Sequence, residues 1–338
     1  MKYLIYFIII LTGIVITSCI EGHTYTEVYE YLTLINCDGS DKIHLSEDTC
    51  GKVVFYENDQ KIIYARGDDE FISFDLSTLQ SEIIFPLVPE ELDMSGYDFF
   101  QEFEKIIFWD KTNERDIHAA TIENGEIENL TNTLDIWEGS VKLSPTEEYF
   151  AYIEQDFTFE DSVLWSIKYR NFDESINETV ISKFSGVAVE FRFVDWINNN
   201  KLIYSDNDSG NNPGIYSINL DGTEKQHIFE GLYLDFSICE DRTKVIFEDD
   251  NEVYLIDTSD YSVLNLVSGT KPVISTDGNK LAYYDGISGL VVWDMIEDTS
   301  TLISETPRSS AIGFSSDSQK LVFKEQIMVT YHRDRRIM

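Results

Sequence analysis

The chain is short of the residues that divide a protein into domains or announce a chemistry. Six prolines in 338 residues, and no stretch rich in Ser and Gly, leave nothing that reads as a linker. The five histidines (His23, His44, His118, His227, His332) are scattered, with no His-x-His or His-Glu-x-x-His spacing, so the common zinc patterns are excluded. The four cysteines (Cys19, Cys37, Cys50, Cys239) form no Cys-x-x-Cys pair. No Gly-x-Ser-x-Gly elbow exists, since Gly286-Ile287-Ser288-Gly289 has the wrong spacing for a serine nucleophile. Basic residues are scarce: 25 against 62 acidic, a net charge of −37. Such a surface repels phosphate backbones, which excludes nucleic acid, and it disfavours lying flat on anionic lipid. No metal or other cofactor is expected from these residues.

The chain has one long apolar run, at its start. Lys2 precedes residues 3–16, and Ile16-Thr17-Ser18-Cys19 closes the segment. About 14 residues is too short to span a bilayer, which takes about 20, and suits the apolar region of a signal peptide. Small residues before a cysteine resemble the lipobox of bacterial lipoproteins. That resemblance implies removal of residues 1–18, a lipid on Cys19, and residence in the bacterial cell envelope on the periplasmic or cell-surface side of a membrane. An ordinary signal peptide and an uncleaved anchor are the other readings, and all three export the chain. Export makes a Cys37–Cys50 disulfide chemically allowed across the turn-rich Asp38-Gly39-Ser40-Asp41, and both the bridged and the free reading stay open. Cys239 reads as a buried small hydrophobe.

What the sequence has in quantity is a repeat. A polar turn, a Lys, then three or four apolar residues recur at Lys61-Ile62-Ile63-Tyr64, Lys105-Ile106-Ile107-Phe108, Lys201-Leu202-Ile203-Tyr204, Lys244-Val245-Ile246-Phe247, Lys280-Leu281-Ala282-Tyr283 and Lys320-Leu321-Val322-Phe323. The seventh copy, Tyr149-Phe150-Ala151-Tyr152, has Tyr in place of Lys. Within one period, residues 232–269 alternate apolar and polar in four short runs separated by turn residues, a four-stranded antiparallel meander. The third run ends in Asp or Asn (Asp75, Asn219, Asp257, Asp294), which can start the next turn by bonding its own backbone. A sheet of about 40 residues cannot bury both faces alone and must stack on copies of itself, as propeller blades do.

Phe314-Ser315-Ser316-Asp317-Ser318-Gln319-Lys320-Leu321-Val322-Phe323 and Ser275-Thr276-Asp277-Gly278-Asn279-Lys280-Leu281-Ala282-Tyr283 resemble the repeats of TolB-like β-propellers, over about residues 50–326. Only Leu143-Ser144-Pro145 keeps that family's Ser-Pro step, and a WD40-like match is weaker. The expected fold is all-β, a propeller of seven blades, with six or eight as alternatives. Residues 19–338 form one domain, with 19–51 as tether and closing strand and 52–338 as blades. The seventh repeat offers three strands (311–315, 320–324, 327–332), and residues 25–35 supply the fourth and close the ring.

Candidate functional residues are few. Asp206-Asn207-Asp208-Ser209-Gly210-Asn211 spaces oxygens as a calcium loop would, but position 12 is Ser217 rather than Glu, and a hairpin turn is the better reading. The loop at 154–162 carries Phe157 and Phe159, either as an exposed binding patch or tucked against a neighbouring blade. Residues 97–100 read as an inner strand. The expected function is a non-catalytic scaffold binding a protein, peptide or glycan of the envelope, which is the role the TolB resemblance implies. The rival is a lyase or hydrolase of envelope polymer with its site in the channel.

Overall fold

The computed structural model describes residues 10–11, 14–17, 24–47, 52–66, 70–86, 92–100, 105–110, 115–122, 124–173, 175–185, 191–208, 212–232, 234–306 and 309–332. Cys19 and Cys50 lie outside them. Among the described residues every regular element is a β-strand. Six sheets of four strands each follow the chain in order, at residues 53–86, 92–129, 136–185, 191–230, 236–268 and 270–304, and these are blades 1 to 6. Blade 7 joins the two ends of the chain: Ser310–Phe314 and Lys320–His332 pair with Thr24–Asn36 and Ile43–Ser46. The fold is a seven-bladed β-propeller.

The repeat explains the ring. Each repeat anchor is the first residue of a second strand: Lys61, Lys105, Tyr149, Lys201, Lys244, Lys280 and Lys320. The apolar residues that follow are buried on both faces because side chains alternate across a strand and each face meets a different blade. In blade 4, Leu202 and Tyr204 pack on blade 3 through Ala151, Ile153 and Ile167. Ile203, between them, packs on blade 5 through Val245 and Phe247. The same division yields seven apolar clusters, one for each pair of neighbouring blades.

The ring closes as expected, but blade 7 is shared differently. Lys320–His332 is one continuous strand of 13 residues rather than two. Glu325 and Gln326, where a turn was expected, sit mid-strand opposite Tyr31 and Glu30. Neither residue favours positive φ, and the Glu325 carboxylate is held by Lys42 (2.7 Å) and Ser304 (3.0 Å). The start of the chain therefore supplies two strands, not one. On one face Asp59 of blade 1 accepts hydrogen bonds from Ser316 N (2.9 Å), Ser316 Oγ (2.6 Å) and Asp317 N (3.0 Å) of blade 7.

Two short strands, Ile10–Leu11 and Ile14–Thr17, extend blade 7, with Val15 opposite Val28. They fall within the segment read as a signal peptide.

Candidate functional site

The first strands of the blades surround the central channel. Seven of their residues pair with the third residue of the adjacent second strand and so stand at one level: Val54, Asp98, Lys142, Asp195, Ser237, Val273 and Gly313. Four of these are small or apolar. The other three carry charge, and with Lys52 and Arg242 they make a belt of alternating sign, one residue from each of blades 1 to 5.

Lys52 Nζ meets Asp98 Oδ1 at 2.6 Å, and Asp98 Oδ2 accepts the Leu143 N–H of blade 3 at 3.2 Å. Lys142 Nζ lies 3.9 Å from Asp195 Oδ2, and Arg242 donates to Asp195 Oδ1 at 2.8 Å and to the Trp196 carbonyl at 2.6 Å. Burial alone would raise the Asp98 carboxyl, but Lys52 and Lys142 outweigh it and hold it at about 2. Burial pulls the Lys52 amine below the usual lysine range against the pull of Asp98. For Lys142 the two carboxylates Asp98 and Asp195 overcome burial and raise it.

Lys142 is also the belt's least satisfied member. Its ammonium has three donors, yet among the described residues its nearest carboxylate oxygen is at 3.9 Å, beyond hydrogen-bond length. It lines a cavity of about 550 Å³ with Lys52, Trp109, Arg192, Phe193, Asp195 and Phe236. A second cavity, of about 620 Å³, shares Phe236 and Ser237 with the first and is lined by Asp235, Glu248, Asp249, Asp250 and Lys271. Burial raises the Asp235 carboxyl despite Arg192, which binds it at 2.9 Å, and burial with the Asp250 charge raises Asp249. The channel mouth is thus cationic and aromatic on the side of blades 1 to 4 and acidic at blade 5, beside Lys271 of blade 6.

The residues singled out from sequence fall elsewhere. The second strand of blade 3 runs to Asp156, so the loop after it is 157–162. Phe157 leans on Trp137 (ring centroids 4.5 Å apart), itself covered by the Arg115 guanidinium at 3.8 Å. Phe159 meets Phe184 at 5.0 Å. Both rest on their own blade rather than a neighbour, and both remain about two-fifths exposed (40% and 41%). At the Asp206 turn, Lys183 of blade 3 binds Asp206 and lies 3.7 Å from Asp208, while Asp208 N bonds Asp206 Oδ1 at 3.0 Å. An ammonium therefore stands where a cation would. Among the described residues no group of three or more His, Cys, Asp or Glu is placed to hold a metal ion. The Cys37 thiol is buried, contacts the Ser318 carbonyl at 3.6 Å, and is pushed up to about 12 by burial.

Sequence reading placed residues 97–99 correctly on an inner strand but did not see the belt. Its signal was available: Asp98, Lys142 and Asp195 each lie six or seven residues before an anchor, the level that faces the channel in every blade.

No protein-family model matches the chain, and no curated protein sequence matches it. Solved structures do. An oligogalacturonate lyase from Vibrio parahaemolyticus is 10% identical, with TM-score 0.67 over 88% of this chain and 97% of that one. A protein assigned as TolB from Agrobacterium tumefaciens is 10% identical, with TM-score 0.53 over 89% and 99%. A puromycin-hydrolyzing peptidase of Mycobacterium tuberculosis is 12% identical, with TM-score 0.59 over 88% of this chain and 52% of that one, so this chain spans about half of it. These likenesses concern the fold, which is shared by TolB-type propellers and by the propellers of enzymes.

Proposed function

We propose that the protein is a binding propeller of the cell envelope that takes an anionic group, carried by an acidic oligosaccharide, at Lys142 in its channel. The observation behind this reading is the Lys142 ammonium, which lines a cavity of about 550 Å³ with its nearest carboxylate oxygen among the described residues at 3.9 Å. A bound carboxylate would gain charge-assisted hydrogen bonds, each stabilising by about 1.5–3 kcal/mol. Trp109, Phe193 and Phe236 offer ring faces beside it, and Arg192 a second cation. Four basic residues, Lys52, Lys142, Arg192 and Arg242, stand together at this point of a chain of net −37, which supports a role in recognition. Binding is favoured over turnover because the belt's other charges are paired, Lys52 with Asp98 at 2.6 Å and Arg242 with Asp195 at 2.8 Å. The similarity to a protein named for an acidic oligosaccharide makes that substrate the natural first probe.

Titration calorimetry with oligogalacturonate and with a neutral oligosaccharide tests the reading. Acidic sugar should bind, neutral sugar should not, and Lys142→Met should weaken binding about 10- to 100-fold, the loss of one charged hydrogen bond. No binding, or binding indifferent to Lys142, overturns it, and release of cleaved product would replace it by the lyase reading. The resemblance of Ile16-Thr17-Ser18-Cys19 to a lipobox supports a lipid on Cys19 and residence in the envelope. A protein partner is the second reading, favoured by the exposed Phe157 and Phe159.

A further inference from the structure

Blade 7 is taller than the others, and on one side only. The second strands of blades 1, 2, 4 and 5 have 6 residues, whereas Lys320–His332 has 13 and pairs along its whole length with the 13 residues of Thr24–Asn36. The surplus of about seven residue pairs, at about 3.3 Å each, makes a two-stranded ribbon about 20 Å long. Exposure marks where it leaves the body: Leu32, Leu34 and Ile35 are buried, while Met328, opposite Val28, is 57% exposed.

The side from which it leaves follows from strand direction. Every second strand runs from its anchor toward the face that holds the second-to-third-strand turns, and the ribbon continues in that direction, with Thr24 opposite His332 at its tip. That face carries the acidic mouth residues Glu248, Asp249 and Asp250 and the loop with Phe157 and Phe159. Thr24 is five residues after Cys19, a reach of at most about 18 Å.

We infer that the ribbon is a stand-off that turns the channel mouth toward the membrane in which Cys19 is anchored. This rests on the lipid reading of Cys19 given above, in which Ile14–Thr17 leave with the signal peptide. The ribbon's length has a physical use. Charges separated by more than about 8 Å are largely screened at physiological salt, so a rim of Asp235, Glu248, Asp249 and Asp250 held about 20 Å away escapes repulsion by anionic lipid. Ligands of the channel are then those displayed by, or confined near, that membrane surface.

The test is energy transfer to a headgroup acceptor on vesicles. Residues 20–338 with Cys50→Ser carry a histidine tag at residue 20, bound to nickel-chelating lipid, so the measurement does not depend on natural lipidation. The donor dye is placed on Leu232→Cys, at the mouth face, or on Ile296→Cys, in a third-to-fourth-strand turn of the opposite face. Both side chains are exposed, and Cys37 and Cys239 are buried. Blade height separates the two sites by about 20 Å, so transfer from the Leu232 site should be about twofold greater or more. Removing four pairs of the ribbon, residues 24–27 and 329–332, should raise it further. Equal transfer, or more from the Ile296 site, overturns the inference. Fatty-acid labelling of the wild type separately tests Cys19, so loss of the anchor reading and loss of the orientation are distinct results.

Discussion

Single residues decide how each repeat turns. At the end of a first strand, Ser275 Oγ donates to Asp277 (2.6 Å) and accepts the Lys280 N–H (2.8 Å), and Ser315 does the same with Asp317 and Lys320. Cys239 occupies this position in blade 5: its Sγ contacts Asp241 at 2.9 Å and accepts the Lys244 N–H at 3.2 Å. It is therefore a turn residue and not only a small hydrophobe. Cys239→Ser should leave the melting temperature nearly unchanged, while Cys239→Ala should lose about 1 kcal/mol by orphaning those groups, as denaturant unfolding would show. A larger loss from Ser than from Ala would contradict the assignment. Glu138 makes a different case. It is buried, with one oxygen held by Thr133 Oγ1 at 2.8 Å and the other without a partner among the described residues, and burial together with Asp116 and Glu154 pushes its carboxyl up to about 8. The unfolded chain ionises it near its ordinary value of 4.5 while the folded chain keeps its proton. Its contribution is thus full below pH 4.5 and is lost as the pH rises to about 8. Glu138→Gln should match the wild type at acid pH and melt higher at pH 8.5; equal melting there would refute the buried proton.

Among elements, the closing blade matters most to stability. Leu32 is fully buried in the cluster that joins blade 7 to blade 1 through Val53, Phe55, Ile62 and Tyr64. Leu32→Asp would bury an unpaired charge there, and a lowering of the melting temperature by roughly 10 °C is expected from calorimetry. Deleting residues 24–36 removes the partner of the whole Lys320–His332 strand and should cost at least as much. A truncated chain that melts like the full one would mean that the ring does not depend on this strand. The third strands show the opposite economy, with closure by local bonds alone. Asp75 Oδ1 accepts from Ser77 N (2.8 Å), Ser77 Oγ (2.6 Å) and Thr78 N (2.9 Å), and these bonds, the Ser77 hydroxyl first, hold its carboxyl at about 2. Asp257 and Asp294 start their turns in the same way.

For the whole molecule, the belt of Lys52, Asp98, Lys142, Asp195 and Arg242 shows how a strongly acidic chain spends its few cations. Six of the 25 basic residues are the lysine anchors spread round the ring, while Lys52, Lys142 and Arg242 stand together between the carboxylates of neighbouring blades. The sequence by itself determined the blade: an anchor, a buried run of alternating apolar residues, an Asp or Asn that opens the next turn, and the number of copies. These are local, since strand period and turn chemistry act within a few residues. It also determined that the ends must meet, because an apolar segment at 25–35 had no blade of its own. Only the tertiary structure decided that Glu325 and Gln326 continue a strand, since Lys42 and Ser304 reach that carboxylate from distant parts of the chain. Only it brought Lys142 of blade 3 between Asp98 and Asp195, residues 44 and 53 positions away in sequence. A charged residue before an anchor reads alike whether it meets solvent or another blade's carboxylate, and closure of the ring is what distinguishes the two.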